Sequence, residues 1–349
     1  MIANRIGLRS LSSLFIVGAL VLGGCMSSDL CLVSPKEGVL VELPFGPYRQ
    51  HVVVVNESRK EFITLMTGGD GACLRVIGFD GKERLQYGCP SVLQNYSISD
   101  GLAVTEDARL FAYKKQGTRD LYVFDRGTGS DRLVYRSVAS EYQWDSIKDI
   151  VWLSDRKLLL FLNPDKGVGR TQAVVEVLDI ETKSHRILLR PVYIHAIYAT
   201  AVSGDKSKFA ICDGSRDDVV VRVIDVETGT QLAFCDKGYA HSVCWSPDGD
   251  AVGFVADLKQ IKVLDLKTKS EKTLLTLPFG YVCLNLAIGN NYFVYDCRTK
   301  NIPKKTQKVK KMVVHSMAEQ KELGTIEAVF NGSWVVAEHG HKIICQIGY

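Results

Sequence analysis

Beyond its first two dozen residues, this 349-residue chain lacks any hydrophobic run near the 20 or so apolar residues that cross a bilayer. It also lacks a charge of one sign. Lys and Arg number 43 against 39 Asp and Glu, and a net charge of +4 makes no general case for nucleic acid. Amphipathic helices longer than a few turns are missing too. Apolar residues recur almost everywhere at period two, the period of half-buried strands. Disorder is excluded as well, because 46% hydrophobic and 23% charged residues are enough to build a core.

What is there begins with a short leader. Arg5 and Arg9 precede an uncharged apolar stretch at 11–22, too short to span a membrane and suited to a secretory signal peptide. It ends in Leu22-Gly23-Gly24-Cys25. This resembles the lipobox of bacterial lipoproteins, in which the cysteine is acylated and becomes the new N-terminus. The resemblance implies a signal peptide at 1–24, lipidation at Cys25 and a lipidated tether at 25–36. The competing reading is an ordinary secretory peptide followed by a chance cysteine. Met26 stands where an Asp would favour inner-membrane retention. In a Gram-negative host the resemblance therefore implies the outer membrane, facing the periplasm. The lipid alone should anchor the chain to the membrane.

Residues 37–349 read as one repeat domain. HVVVVNE (51–57), EFITLM (61–66), LYVFD (121–125), VVRVID (220–225) and IKVLDL (261–266) are short β-branched or aromatic runs bounded by turn residues. The clearest unit, 242–277, divides into four strands around the turn Ser246-Pro247-Asp248-Gly249. Asp125, Asp179, Asp225 and Asp265 each open an Asp-x-x-Thr turn after a third strand. An Asp and a Thr there can bond their own turn backbone.

Units of this length are typical of propeller blades. The count is seven blades, centred near residues 70, 120, 170, 218, 260 and 305, with a composite of 327–349 and 37–43. Six or eight follow if the first or sixth unit divides differently. The composite rests on 37–46 (EGVLVELPFG), which matches 271–280 (EKTLLTLPFG) at six of ten positions. The strand at 37–43 should therefore pair with the C-terminal strands and close the ring. These repeats look like WD-repeat propellers. Through the WSPDG turn and the Asp-x-x-Thr hairpin they also resemble the periplasmic, TolB-like propeller of the Tol system. The fold class expected is an all-β propeller of four-stranded blades.

Few residues suggest chemistry. A Ser-His-Asp hydrolase domain would need βα alternation and a G-x-S-x-G elbow, and neither is present. The turn at 246–254 lacks the Thr-Trp of a sialidase Asp-box. Four Trp at 144, 152, 245 and 334 do not recur at one repeat position, as quinone-binding propellers require. His339 and His341 form the one His-x-His, a workable metal geometry on a strand, but they sit where a hairpin should turn. No metal or cofactor is expected. Lys304, Lys305, Lys308, Lys310 and Lys311 could meet an anionic partner, or form a solvated hairpin of blade six. No aromatics interleave them, so nucleic acid is not expected.

Ten cysteines are present, nine after Cys25, so at least one is unpaired within the chain. Cys212 and Cys345 sit on apolar strands and read as small buried hydrophobes. Counting equal distances from hairpin turns near Gly81 and Asn290 makes Cys73–Cys89 and Cys283–Cys297 the expected bridges. A slip of one residue would forbid either. Two functional classes remain: a scaffold propeller that docks a protein partner in the cell envelope, and an enzyme or ligand binder with its site in the central channel. The first is expected, because no recurring acid, base or metal set is seen.

Overall fold

The computed structural model describes residues 28–34, 39–43, 49–56, 58–68, 71–88, 102–114, 120–136, 144–164, 173–189, 196–215, 218–236, 240–299, 310–330, 335–337 and 342–348. Among the described residues there are strands and turns and no helix, as period-two patterning demands. Strands β1 (Ser28–Ser34) and β2 (Val39–Leu43) come first in the chain and join its end. Five four-stranded antiparallel sheets follow. Blade 1 holds β3 (Arg49–Asn56), β4 (Glu61–Gly68), β5 (Gly71–Gly78) and β6 (Glu83–Gly88). Blade 2 holds β7 (Leu102–Val104), β8 (Leu110–Lys114), β9 (Leu121–Asp125) and β10 (Ser130–Tyr135). Blade 3 holds β11 (Trp144–Ser154), β12 (Lys157–Pro164), β13 (Val174–Asp179) and β14 (His185–Leu189). Blade 4 holds β15 (Ala196–Val202), β16 (Lys208–Ser215), β17 (Asp218–Asp225) and β18 (Gln231–Cys235). Blade 5 holds β19 (Ala240–Trp245), β20 (Ala251–Ala256), β21 (Gln260–Asp265) and β22 (Glu271–Thr276).

The second strand of each blade explains the packing. LeuLeuLeuPheLeu at 158–162 is an unbroken apolar run, although antiparallel strands commonly alternate. Leu158, Leu160 and Leu162 pack with Ala103, Leu110, Ala112 and Val123 of blade 2. Leu159 and Phe161 pack with Ile197, Phe209 and Ile211 of blade 4. Successive residues point to opposite faces of a strand, so both faces of the blade are buried, each against a neighbour. The same alternation sends Phe209 and Ile211 to blade 3 and Ala210 and Cys212 to blade 5. The core is thus a series of layers between blades. Each fully buried Leu, Ile or Phe contributes about 1.5–3 kcal/mol. Gly253 of β20 is required by one layer. A Cβ there would lie 2.2 Å from the Ile288 side chain of the next blade.

Blade 6 and the closure differ from the sequence expectation. β23 (Tyr281–Val282) and β24 (Leu286–Ile288) both pair with β25 (Tyr292–Thr299), which continues to β26 (Lys310–Ser316) and β27 (Glu322–Phe330). β27 is one nine-residue strand, and it splits the residues expected to open a seventh blade: Glu327 and Ala328 pair with Lys311 and Lys310 of the sixth, while Val329 and Phe330 run on to β29. β28 (Val335–Ala337) and β29 (Lys342–Gly348) remain. β29 bonds β28, the end of β27 and β1, which in turn bonds β2. The result is one nine-stranded sheet. Six sheets stand where seven blades were expected, because Val329↔Gly348 and Phe330↔Ile347 fuse the last two units.

The closing strand also differs. Residues 39–43 do not meet the C-terminal strands directly. Ser28–Ser34, expected as tether, forms β1 and lies between them, six residues in register with β29. β28 in turn adjoins β24 on one side and β3 on the other, which completes the circle. Deleting residues 28–34 should leave β29 with an open edge and strip β2 of its only sheet neighbour among the described residues. The expected loss of several kcal/mol reads as a melting temperature lower by about 10 °C in a circular-dichroism melt. An unchanged melting temperature would refute this closure.

Candidate functional site

Because each blade is a four-stranded meander, the chain enters every blade from the same side. Connections between first and second strands, and between third and fourth, therefore collect on one face of the ring. Contacts between blades bear this out. Asn56 donates to the Glu106 carbonyl at 3.2 Å, Lys206 pairs with Glu106 at 3.1 Å, and Arg186 reaches the carbonyls of Val226 (2.9 Å) and Glu227.

On this turn face the polar groups satisfy one another. Three first hairpins share one device. Thr105, Ser203 and Ser246 each donate to the Asp two residues on, at 2.6 Å. Each hydroxyl also accepts a backbone N–H across the turn: Leu110 at 2.9 Å, Lys208 at 3.0 Å and Ala251 at 2.9 Å. Only the Ser246 copy was noticed in the sequence. Aligning Thr105-Glu106-Asp107 and Ser203-Gly204-Asp205 with it would have exposed the rest.

The Asp-x-x-Thr turns behave as expected. Asp179, Asp225 and Asp265 accept the N–H of Thr182, Thr228 and Thr268 at 2.7–2.9 Å, while Asp125 accepts that of Gly127 at 2.7 Å. Basic side chains cover acids in and around these turns. Arg109 lies 2.9 Å from Asp125, Arg156 lies 3.0 Å from Glu181, and Lys267 lies 2.5 Å from Asp250.

This bonding lowers the carboxyls. The Ser203 hydroxyl, with help from Ser207, outweighs burial and brings Asp205 from 3.8 down to about 2. Backbone N–H groups hold Asp179, Asp225 and Asp265 below their ordinary value. A depressed carboxyl stabilises the fold above its unfolded pKa and loses that contribution as pH falls through the folded one. Stability should therefore fall between about pH 4 and pH 2. Ser203→Ala should lower the melting temperature at neutral pH by a few degrees, about 1–2 kcal/mol. It should also raise the Asp205 titration midpoint, read by NMR. An Asp205 midpoint unmoved in the variant would contradict this account.

First strands are linked blade to blade, in blade 3 with help from the end of its second strand. The Asn163 side chain donates to the Ile197 carbonyl (3.0 Å) and accepts its N–H (2.7 Å). Thr200 donates to Asp149 at 2.5 Å. Trp152 donates to the Ala103 carbonyl at 3.2 Å and Trp245 to that of Ala201 at 3.1 Å. Burial raises the Asp149 carboxyl above its ordinary value, although Thr200 opposes the shift. Among the described residues no group of three or more His, Cys, Asp or Glu is placed to hold a metal ion.

Between the outer strands a diagonal polar pair recurs that sequence reading missed. Glu176 meets His185 at 3.2 Å, Arg222 meets Gln231 at 2.9 Å, and Lys262 meets Glu271 at 3.1 Å. Each pair stands three residues before and six after the Asp of an Asp-x-x-Thr turn, which was the available signal. The Glu176 bond raises His185. Asp213, fully buried beside Arg222, is pushed up to about 6 by desolvation.

The opposite face carries the remaining connections. There, on the link from blade 5 to blade 6, Phe279 is 94% exposed, with the Lys259 ammonium 5.6 Å from its ring. β1 begins at this face, since Ser28 stands opposite Gly348 at the end of β29. Lys310 and Lys311 open β26 on the same side, and Lys311 is exposed. Cys25, Cys89, Lys304, Lys305, Lys308, His339 and His341 lie outside the described residues. A bulge between Val76 and Ile77 sets Cys73 opposite Gly88, so the counted Cys73–Cys89 register is one residue off. Val282 pairs with Arg298 and Leu286 with Tyr295, and Cys283 lies in the stretch between them, outside the ladder. Cys283 and Cys297 are present as thiols, with Cys283 donating to the Asn285 carbonyl at 3.3 Å.

Comparison with family models finds no match, and comparison with curated protein sequences finds none. Solved structures do match. A putative TolB from Agrobacterium tumefaciens is 12% identical with a TM-score of 0.50, covering 93% of this chain and 99% of that one. An oligogalacturonate lyase from Vibrio parahaemolyticus is 14% identical with a TM-score of 0.56, covering 91% of this chain and 88% of that one. At such identities the likeness is one of fold: the chain is an all-β propeller of four-stranded blades, similar to TolB-like propellers.

Proposed function

We propose that this chain is a lipid-anchored envelope protein whose ring is a scaffold for a protein partner, held with the face that bears Phe279 toward the membrane and its rim outward. The observation that carries the scaffold reading is on the rim. β6, β14 and β18 each end a sheet, and each exposes one large apolar side chain: Leu85 (52%), Ile187 (41%) and Phe234 (42%). Strand edges with exposed apolar residues are surfaces on which another chain can dock. The anchoring reading rests on Leu22-Gly23-Gly24-Cys25. Met26 favours the outer membrane, periplasmic side, in a Gram-negative host. Only two residues separate Cys25 from β1. An acyl chain there would hold close to the bilayer the face that bears Phe279.

Two measurements test these parts. Cys25→Ser should abolish palmitate labelling and release the protein from membranes. An unlabelled wild type, or a variant still bound, would refute the anchor. Crosslinking in intact envelopes should capture the same partner with wild type and Leu85→Asp but lose it with Ile187→Asp or Phe234→Asp, or show the converse pattern, provided each variant keeps its melting temperature. A captured set unchanged by all three variants would refute the rim as the docking surface.

A second reading has one observation in its favour. Asp149, on an inner strand with a raised carboxyl, is the kind of group around which channel chemistry is built. A small ligand that raises the melting temperature of the wild type and not of Asp149→Asn would favour a channel site over the scaffold.

A further inference from the structure

The two ends of the described chain meet at a pair of cysteines. β1 and β29 run antiparallel through six consecutive pairs without a shift, from Ser28↔Gly348 to Val33↔Ile343. The fourth of these is Cys31↔Cys345. Residues directly opposite in an antiparallel ladder share a face of the sheet and have Cα atoms about 4.5–5.5 Å apart. A disulfide spans Cα separations of about 4.4–6.8 Å. The register is also pinned from both sides. Cys31 stands opposite Glu42 of β2, while β29 is bonded to β28 and to the end of β27.

We propose that Cys31 and Cys345 form a disulfide that locks the ring shut. The reaction is a thiol–disulfide exchange with a disulfide oxidant. One cysteine thiolate attacks the oxidant, giving a mixed disulfide and releasing one reduced thiol. The second cysteine then displaces the other oxidant thiol. Two S–H bonds are lost and one S–S bond forms, and two electrons and two protons leave with the reduced oxidant. The bridge joins the first strand to the last, so the loop it closes is nearly the whole domain. Chain-entropy stabilisation grows with loop length. The bridge acts where the structure is otherwise held by strand pairing alone, at the one place where the circle is not covalently continuous. Its formation in the cell rests on the proposed export to an oxidising envelope; its geometry does not.

The test is made on the purified full chain incubated with oxidised glutathione and digested without reduction. A crosslinked peptide containing Cys31 and Cys345 is expected. Dithiothreitol should lower the melting temperature of the oxidised protein by about 10 °C. In Cys31→Ser/Cys345→Ser most of that difference should vanish. Recovery of Cys31 and Cys345 as thiols after oxidation, or each paired elsewhere, would overturn the proposal, and this mapping needs no variant to fold. Protein taken directly from envelopes separates the two readings. A bridge that forms with glutathione but is absent in the envelope would count against export and leave the geometry standing.

Discussion

Every blade of this ring is buried on both faces, and that constraint organises the rest. A single four-stranded sheet of this size cannot hide its apolar residues alone. Here Leu158 and Leu160 are covered by blade 2, and Leu159 and Phe161 by blade 4. Each layer is shared, so neither partner has a core of its own. The chain must continue from blade to blade until the last sheet can cover the first. That need makes closure an energetic matter, and it recruits β1 and β2 to the far end of the chain.

Circular packing also divides the surface into unequal parts. The inner strands are tied to their neighbours by Asn163, Thr200 and Trp245. The turn face uses its acids on its own backbone and bases, so its polarity is largely spent internally. The opposite face and the rim are where unmatched apolar surface remains, at Phe279, Ile187 and Phe234. Loops and edges placed by a rigid scaffold are where binding residues concentrate. The functional reading follows from this asymmetry.

Much of the fold was legible in the sequence because its signals are local. Asp-x-x-Thr turns at Asp179, Asp225 and Asp265 form as read, and so do the strands around them. What was not legible depends on register and on where one strand stops. Nothing local distinguishes a Glu322–Phe330 strand from one that ends at 325 and begins again at 327, and the blade count turned on that break. The bulge at Val76 moved Cys73 by one place, enough to spoil a pairing counted from the turn. Cys31 and Cys345 could not be matched from sequence at all, because only the closed ring sets their strands side by side. The diagonal pairs such as Lys262–Glu271 were hidden for a milder reason: their spacing is regular, but their residue types change from blade to blade.

The most direct measure of the central claim, that neighbouring blades are each other's core, is a double-mutant cycle across one layer. Phe161 of blade 3 and Phe209 of blade 4 are both fully buried, with ring centroids 5.6 Å apart and planes at 80°. Each substitution to Leu removes half of an edge-to-face contact. If the layers are shared, the two losses measured by denaturant unfolding are non-additive, with a coupling of about 0.5–1.5 kcal/mol. Losses that add within about 0.3 kcal/mol would contradict the account and would mean that the blades stand independently.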